Sequence, residues 1–424
     1  MKAKTAAWGI VVIIVVGAGV VLSGILDPSY ETSEIDQADS QTPAQLITRG
    51  KYLAMAADCT ACHTSKDGAP FAGGVPLATP FGTIYGSNIT PDKKNGIGSW
   101  TSADFYKVLH DGIAPGHPVY PAMPYTSYRS ISRADSDAIF AYLRSIQPVP
   151  VANKANDVPF PFNIRALLRG WNFLFLRNSL PDASSGSSDE WVRGKYLANG
   201  LGHCTECHTP RGALGQLTLS KTLQGGDLGD IHAVGITPGQ LAARGWNTTD
   251  LQRFLAFGIA PQGSAYGEMH DVVHYSTQHL TEADNKALVR YLTGDAPLPS
   301  TALRAQPPSP APGTEKVVAA GRPLNLALCA GCHSANGQGK PNVTVALNGN
   351  STVRNEQPHN LIQVILAGVA AKQFPDNQSR QTMPGFDTKL DDQQAADLAN
   401  YLRVSFGGLK ADIQPSDVAS VRKQ

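Results

Sequence analysis

The chain has 424 residues, 42% of them hydrophobic and only 16% charged, which excludes both a disordered protein and a polytopic membrane protein. Basic and acidic side chains balance at 35 against 34, so the electrostatic footprint that nucleic-acid binding needs is missing. With 41 Gly and 30 Pro, the chain reads as loop-rich domains built around something other than a large regular core.

Ala6 to Leu26 is a mostly apolar run, long enough to span a bilayer core at about 1.5 Å per helical residue. Lys2 and Lys4 precede it, while Asp27, Glu31, Glu34, Asp36 and Asp39 follow. The positive-inside rule then leaves the N-terminus in the cytoplasm and the remainder in a bacterial periplasm. A cleaved signal peptide is the competing reading, but its apolar core is shorter and no clear small-residue cleavage site follows here. Residues 1–26 are therefore expected to be an inner-membrane anchor.

Three diverged repeats follow. Arg49-Gly-Lys-Tyr-Leu-Ala54 recurs as Arg193-Gly-Lys-Tyr-Leu-Ala198, with Gly321-Arg-Pro-Leu324 a weaker echo. Each opens a helix that runs into a Cys-x-x-Cys-His. Trp100-Thr-Ser-Ala-Asp-Phe105 matches Trp246-Asn-Thr-Thr-Asp-Leu251, and both continue to Gly-Ile-Ala-Pro. Each repeat closes with a helix introduced by a capping-box pattern, at Ser132–Asp135, Thr281–Asp284 and Asp391–Gln394, and ends in Tyr-Leu. The closing helix is expected to cross the opening helix at Gly50, Gly194 and Gly321, where a missing side chain permits close approach, with Tyr142, Tyr291 and Tyr401 in the core. Domains are placed at 45–150, 189–296 and 314–408, leaving an aromatic-rich linker at 151–188, a Pro-rich linker at 297–313 and a polar tail at 409–424. Within the first linker, residues 160–177 are too aromatic to be solvated. They either pack across domains or meet a membrane surface or a partner subunit.

All six cysteines lie in three pentapeptides: Cys59-Thr-Ala-Cys62-His63, Cys204-Thr-Glu-Cys207-His208 and Cys329-Ala-Gly-Cys332-His333. This is the attachment pattern for c-type haem. Two thiols add across the vinyl groups and the adjoining imidazole binds the iron, so one helical turn must present all three. Zinc sites need four ligands each, and three motifs do not pair into such sites. A thioredoxin-like Cys-x-x-Cys would sit in a βαβ context that is missing here. No cysteine is left for an iron–sulfur cluster. Three covalent haems c are expected, with His63, His208 and His333 as proximal ligands.

Of the five methionines, Met1 is the initiator and Met55, in the first opening helix, is read as packing. The other three fall one per repeat, at 60, 61 and 50 residues after the motif histidines. Each has turn-like surroundings: Tyr120-Pro-Ala-Met123-Pro-Tyr, Tyr266-Gly-Glu-Met269-His and Gln381-Thr-Met383-Pro-Gly. Met123, Met269 and Met383 are therefore expected as distal iron ligands, and His/Met ligation raises a haem potential. His117, His270 and His359 are the rivals, but no histidine recurs as regularly. His203, His232, His274 and His279 read as ordinary polar or packing positions.

Together with Pro70-Phe-Ala-Gly-Gly74, Asn88-Ile-Thr-Pro-Asp92, Gly202-His-Cys-Thr-Glu-Cys-His-Thr-Pro-Arg-Gly212 and Ser276-Thr-Gln-His-Leu280, these motifs resemble the three-haem cytochrome c subunits of membrane-bound alcohol and aldehyde dehydrogenases from acetic-acid and related bacteria. The resemblance covers about residues 45–406. It implies a mainly α fold of three tandem cytochrome c domains behind one N-terminal transmembrane helix. It also implies an electron conduit: a catalytic subunit oxidises an alcohol, aldehyde or sugar, and electrons pass singly through three haems to ubiquinone. The N-terminal anchor and polar tail are similar to the subunit that serves molybdopterin aldehyde dehydrogenases, whose other chains carry molybdopterin and iron–sulfur clusters. Quinoprotein alcohol dehydrogenases and flavoprotein sugar dehydrogenases stay open as partners. Two other classes compete: a haem peroxidase, which needs an open iron position, and a free-standing periplasmic electron carrier, which a charged docking face would favour.

Overall fold

The computed structural model describes residues 16–25, 27–29, 42–176, 188–294 and 313–423. Most of the expected anchor lies outside them. Residues 16–23 are helical, and among the described residues no helix is long and apolar enough to cross a membrane. Most of the Pro-rich linker also lies outside the described residues. The chain is mainly helical and divides into two compact units: residues 1–185 with 196–203, and residues 186–195 with 204–424.

In the first unit, the opening helix Pro43–Ala56 starts at Thr42, which exchanges hydrogen bonds with Gln45 in a reciprocal capping box. Pro43 suits the first turn because its missing N–H would have no helical partner there. The buried face of this helix, Gly50, Leu53, Ala54 and Ala56, meets the closing helix Arg133–Ser145. At Gly50 the backbones touch, and a Cβ there would collide with the carbonyl of Ala138 and crowd Tyr142. The helix Ser102–Asp111, ended by Gly112 in the left-handed region (φ 67°), buries Phe105, Val108 and Leu109. Phe105 stacks on Phe140 of the closing helix, with ring centroids 5.2 Å apart.

The aromatic segment is not a spacer. Its helix Leu167–Phe175 packs within the first unit: Tyr125 Oη donates to Asn172 (2.8 Å), and Asn172 donates to the Asp111 carbonyl (2.9 Å). Tyr120 Oη donates to the Phe162 carbonyl (3.1 Å), which ties the start of the segment to the Met123 loop.

The second unit repeats the close helix crossing twice. A Cβ at Gly194 would strike the Ala287 carbonyl, and one at Gly321 would strike Asp397 and Tyr401. The partners are the closing helices Glu282–Thr293 and Asp392–Leu402. Tyr401 is buried as expected, whereas Tyr142 and Tyr291 are only half-buried, Tyr142 edge-on to Phe71 and Tyr291 to Trp191. The regions placed in separate second and third domains bind each other directly. The backbone N–H of His232 donates to Asn360, and Asn360 donates back to the His232 carbonyl, both at 2.8 Å. Phe374, from the hairpin Lys372–Phe374/Gln378–Arg380, enters an apolar cluster with Ile259, Ala265 and Val273. Ser351 Oγ accepts from Arg244 and Trp246. The tail is not simply polar either: helix Pro415–Val421 buries Val418 and Val421 in the core formed by Leu361, Ile362, Leu398 and Leu402.

Candidate haem-attachment sites

Each motif forms a short helix of its own. Cys59–His63 and Cys204–His208 follow a residue forced to positive φ, Asp58 (53°) and His203 (37°), which breaks the chain away from the opening helix. In the third, Cys329 sits at the N-terminal boundary of Ala330–His333 without such a kink. One turn thus carries both thiols and the imidazole in every case. None of the six thiols is in a disulfide. Burial, with the charge of Asp58 adding to it, pushes Cys59 up to about 12; burial pushes Cys204 to about 12 and Cys329 to about 11. These are neutral thiols at any ordinary pH.

The three histidines share one hydrogen-bond geometry. Nδ1 lies 2.6 Å from the Ser87 carbonyl in His63, 2.6 Å from the Val234 carbonyl in His208 and 2.9 Å from the Val345 carbonyl in His333. A carbonyl can only accept, so Nδ1 carries the proton and Nε2 keeps its lone pair. Burial lowers the pKa of all three rings, taking His208 down to about 4, so the imidazoles are neutral donors.

The accepting carbonyls come from chain that loops back over the motif. In the first repeat the hairpin Pro76–Thr79/Gly82–Tyr85 leads to Gly86 and Ser87. A Cβ at Gly86 would collide with the Cys62 carbonyl, so glycine allows the strand to pass over the motif helix. The hairpin Gly225–Asp227/His232–Val234 delivers Val234 in the same way. In the third repeat the loop is half as long, 12 residues against 24 and 26, and a Lys340–Thr344 bridge delivers Val345. These carbonyls escaped the sequence reading because a backbone acceptor leaves no residue-type signal.

The methionines occupy three different settings. Met123 lies in the expected turn, with its N–H on the Tyr120 carbonyl and its carbonyl accepting from Tyr125. Met383 sits in extended chain, bridged through both backbone groups to Val369. Met269 is not in a turn but in the first turn of helix Glu268–Tyr275, packed against Ile259, Ala265, Val273 and Phe374. Its rival His270 faces protein partners at both nitrogens, Asp271 at 3.1 Å and the Gln373 carbonyl at 3.2 Å. His359 Nε2 is 3.1 Å from the Asp230 carbonyl, and His117 Nδ1 is 3.1 Å from that of Pro118.

These residues fit haem c. Beyond the thiols and imidazoles, the third repeat holds buried guanidinium nitrogens without partners: Nε and Nη1 of Arg403, and Nε of Arg354 and Arg380. Burial depresses the pKa of all three arginines, a cost that the carboxylates of a porphyrin would offset.

The cytochrome c family model matches residues 47–147 and 318–405. The chain is 38% identical over 409 residues to the gluconate 2-dehydrogenase cytochrome c subunit of Pantoea cypripedii, covering 91% of each. It is 38% identical to one chain of nicotinate dehydrogenase from Pseudomonas putida, over 89% of this chain and 32% of that longer one. It is 35% identical to the cytochrome c subunit of alcohol dehydrogenase (quinone) from Gluconobacter oxydans, over 94% of this chain and 86% of the other. The chain belongs to the family of cytochrome c subunits of dehydrogenase complexes, and as such it holds haem c covalently and transfers electrons for a partner dehydrogenase.

Proposed function

We propose that this chain carries three haems c and passes electrons singly from its partner dehydrogenase to ubiquinone. The observation that carries this reading is the threefold recurrence of one arrangement: a Cys-x-x-Cys-His turn whose histidine Nδ1 meets a backbone carbonyl. Cys59 with Cys62, Cys204 with Cys207, and Cys329 with Cys332 would attach the haems. His63, His208 and His333 would ligate the irons through Nε2, with Met123, Met269 and Met383 opposite them. Bound haem c supplies a one-electron couple, which His/Met ligation raises in potential.

The protein's own part is to hold the ligands still and dry. Each imidazole is fixed by its carbonyl and kept neutral by burial. The close helix crossings at Gly50, Gly194 and Gly321 give each motif a rigid base.

The apolar run Ala6 to Leu26 would anchor the chain in the inner membrane, with the haem units in the periplasm. The C-terminal helix supports an N-terminal anchor, because Val418 and Val421 are already taken up by the core. The relatives are subunits of gluconate, nicotinate and alcohol dehydrogenases, which supports a partner that oxidises a small organic molecule. Within that class, a molybdopterin aldehyde dehydrogenase with its iron–sulfur chain is the reading favoured by the anchor and tail alone; quinoprotein and flavoprotein partners are the alternatives.

Mild-detergent purification from native membranes, followed by haem quantitation and mass spectrometry of co-purifying subunits, tests this. Three haems per chain and a dehydrogenase subunit are expected. Two haems or fewer would overturn the three-site assignment. A chain that comes away alone at full haem content would favour a free-standing carrier.

A further inference from the structure

The first unit exposes a band of large apolar side chains: Phe160 (78% exposed), Phe162, Ile164, Leu167, Phe173 (46%) and Leu174 (60%). Leu167, Phe173 and Leu174 share one side of helix Leu167–Phe175, with Gly170 between them, where an added Cβ would meet nothing within 4 Å. The other side of the helix is held by protein. Asn172 bonds Tyr125 and the Asp111 carbonyl, Trp171 packs edge-on to Tyr125, and Leu176 is buried. The band is therefore an outward face of a well-fixed element.

Two observations identify what covers it. The first is position. Arg169, in the middle of this helix, makes a two-pronged ion pair with Asp27 (Nε at 3.1 Å, Nη2 at 2.9 Å), and Asp27 is the first charged residue after the apolar run Ala6 to Leu26. The end of that run is thus fastened to the helix, and its own apolar residues there are exposed as well, Ile25 by 77%. The described end of the run therefore lies beside the helix that carries the band. The second is charge. From Val158 to Pro181 the chain has three arginines and no acidic residue, among four phenylalanines and a tryptophan. Large apolar and aromatic side chains on a short amphipathic helix with no acidic residue, its one arginine already neutralised by Asp27, are the composition of a segment lying in the interface of a bilayer.

We propose that residues 160–175 lie in the membrane interface, clasped to the anchor by the Arg169–Asp27 pair. The inference rests on reading Ala6 to Leu26 as the anchor. It has a consequence for the first haem site. Tyr120 and Tyr125 flank Met123 and bond to Phe162 and Asn172, so the Met123 loop is the one held against the bilayer.

The test uses the full haem-loaded chain in native membranes, with a photo-crosslinking benzoylphenylalanine placed at Leu174, at Ile25 or at Val151, an exposed position in the same unit outside the band, whose carbonyl is held by Asn88. Lipid adducts at Leu174 and Ile25 and none at Val151 are expected, and Phe173 serves as a second position in the band. Lipid adducts at Ile25 with only protein adducts, or none, at Leu174 and Phe173 would leave the anchor standing and overturn the interface proposal. Absence of lipid adducts at Ile25 as well would overturn the anchor reading along with it.

Discussion

Arg49 reaches from the opening helix of the first repeat to Asp135, the third residue of the closing helix, with Nη2 and Oδ1 2.6 Å apart. Arg193 makes the same contact to Asp284 in the second repeat, at 2.7 and 2.8 Å. Each arginine directly precedes the glycine of the helix crossing, so the ion pair and the close approach act at one place. In the third repeat Ala320 stands before Gly321, and Gln394 turns back to cap Asp391 instead. The capping-box pattern is thus fully local only where no arginine competes for the third-position side chain. Arg49→Met should cost about 1 kcal/mol of stability, since Arg49 is partly exposed and Ser132 still caps the helix. Urea unfolding of the holoprotein measures it. A loss no larger than that of a surface lysine substitution would remove the pair from the account of the crossing.

Glycine substitutions separate close approach from helix propensity. Gly50→Ala, Gly194→Ala and Gly321→Ala each place a methyl onto backbone or Cβ atoms of the facing helix, and each should destabilise by about 1–3 kcal/mol or more. Gly170→Ala, in open space on a helix, should instead stabilise by roughly 0.5–1 kcal/mol. Thermal unfolding of the four variants checks the contrast, and a uniform sign would contradict it.

The three motif turns and the Met123 loop were legible in the sequence because each depends on residues a few positions apart, and the crossing glycines because their segment recurs from repeat to repeat. What was not legible depends on distant partners. Asp135 and Asp284 fit a local capping rule and then bind arginines 86 and 91 residues away. The carbonyls of Ser87, Val234 and Val345 carry no side-chain signature, and the unequal loops hide even their spacing. The union of the second and third repeats turns on Phe374 meeting Val273 and on Asn360 bonding His232, contacts that no periodicity encodes. Val418 and Val421 are too short a pattern to announce a docked helix.

The methionine settings predict a split between stability and ligation. Met269→Leu and Met383→Leu keep most of the apolar volume and remove the thioether, so each should leave one haem iron able to bind carbon monoxide after reduction. Truncation to alanine should distinguish them. Met269→Ala opens a gap beside Val273 and Phe374 and should cost about 1–3 kcal/mol, while Met383→Ala, whose bonds to Val369 are through the backbone, should cost less. Carbon monoxide difference spectra with parallel unfolding curves read both. Unchanged spectra in either leucine variant would remove that methionine from the iron.

Tyr196 gives a pH-dependent test of the first unit. Its Oη donates to Asp135 at 2.5 Å and accepts from the Ser132 N–H at 3.2 Å, so it closes the network that Arg49 enters. Burial first, and then the Asp135 charge, hold its phenol well above the ordinary value of 10.0. The folded chain therefore keeps this proton more tightly than the unfolded chain. The stabilising contribution is fully present below about pH 10 and falls as pH rises from there toward the folded value. Tyr196→Phe loses the hydrogen bonds, about 1 kcal/mol near neutrality, but has no phenol to titrate. The stability gap between the wild type and the variant should then hold from about pH 8 to about pH 10 and narrow above that toward about pH 11, with the other tyrosines cancelling in the comparison. A gap that stays constant over that range would show that the Tyr196 proton is held no more tightly in the folded chain than in the unfolded one.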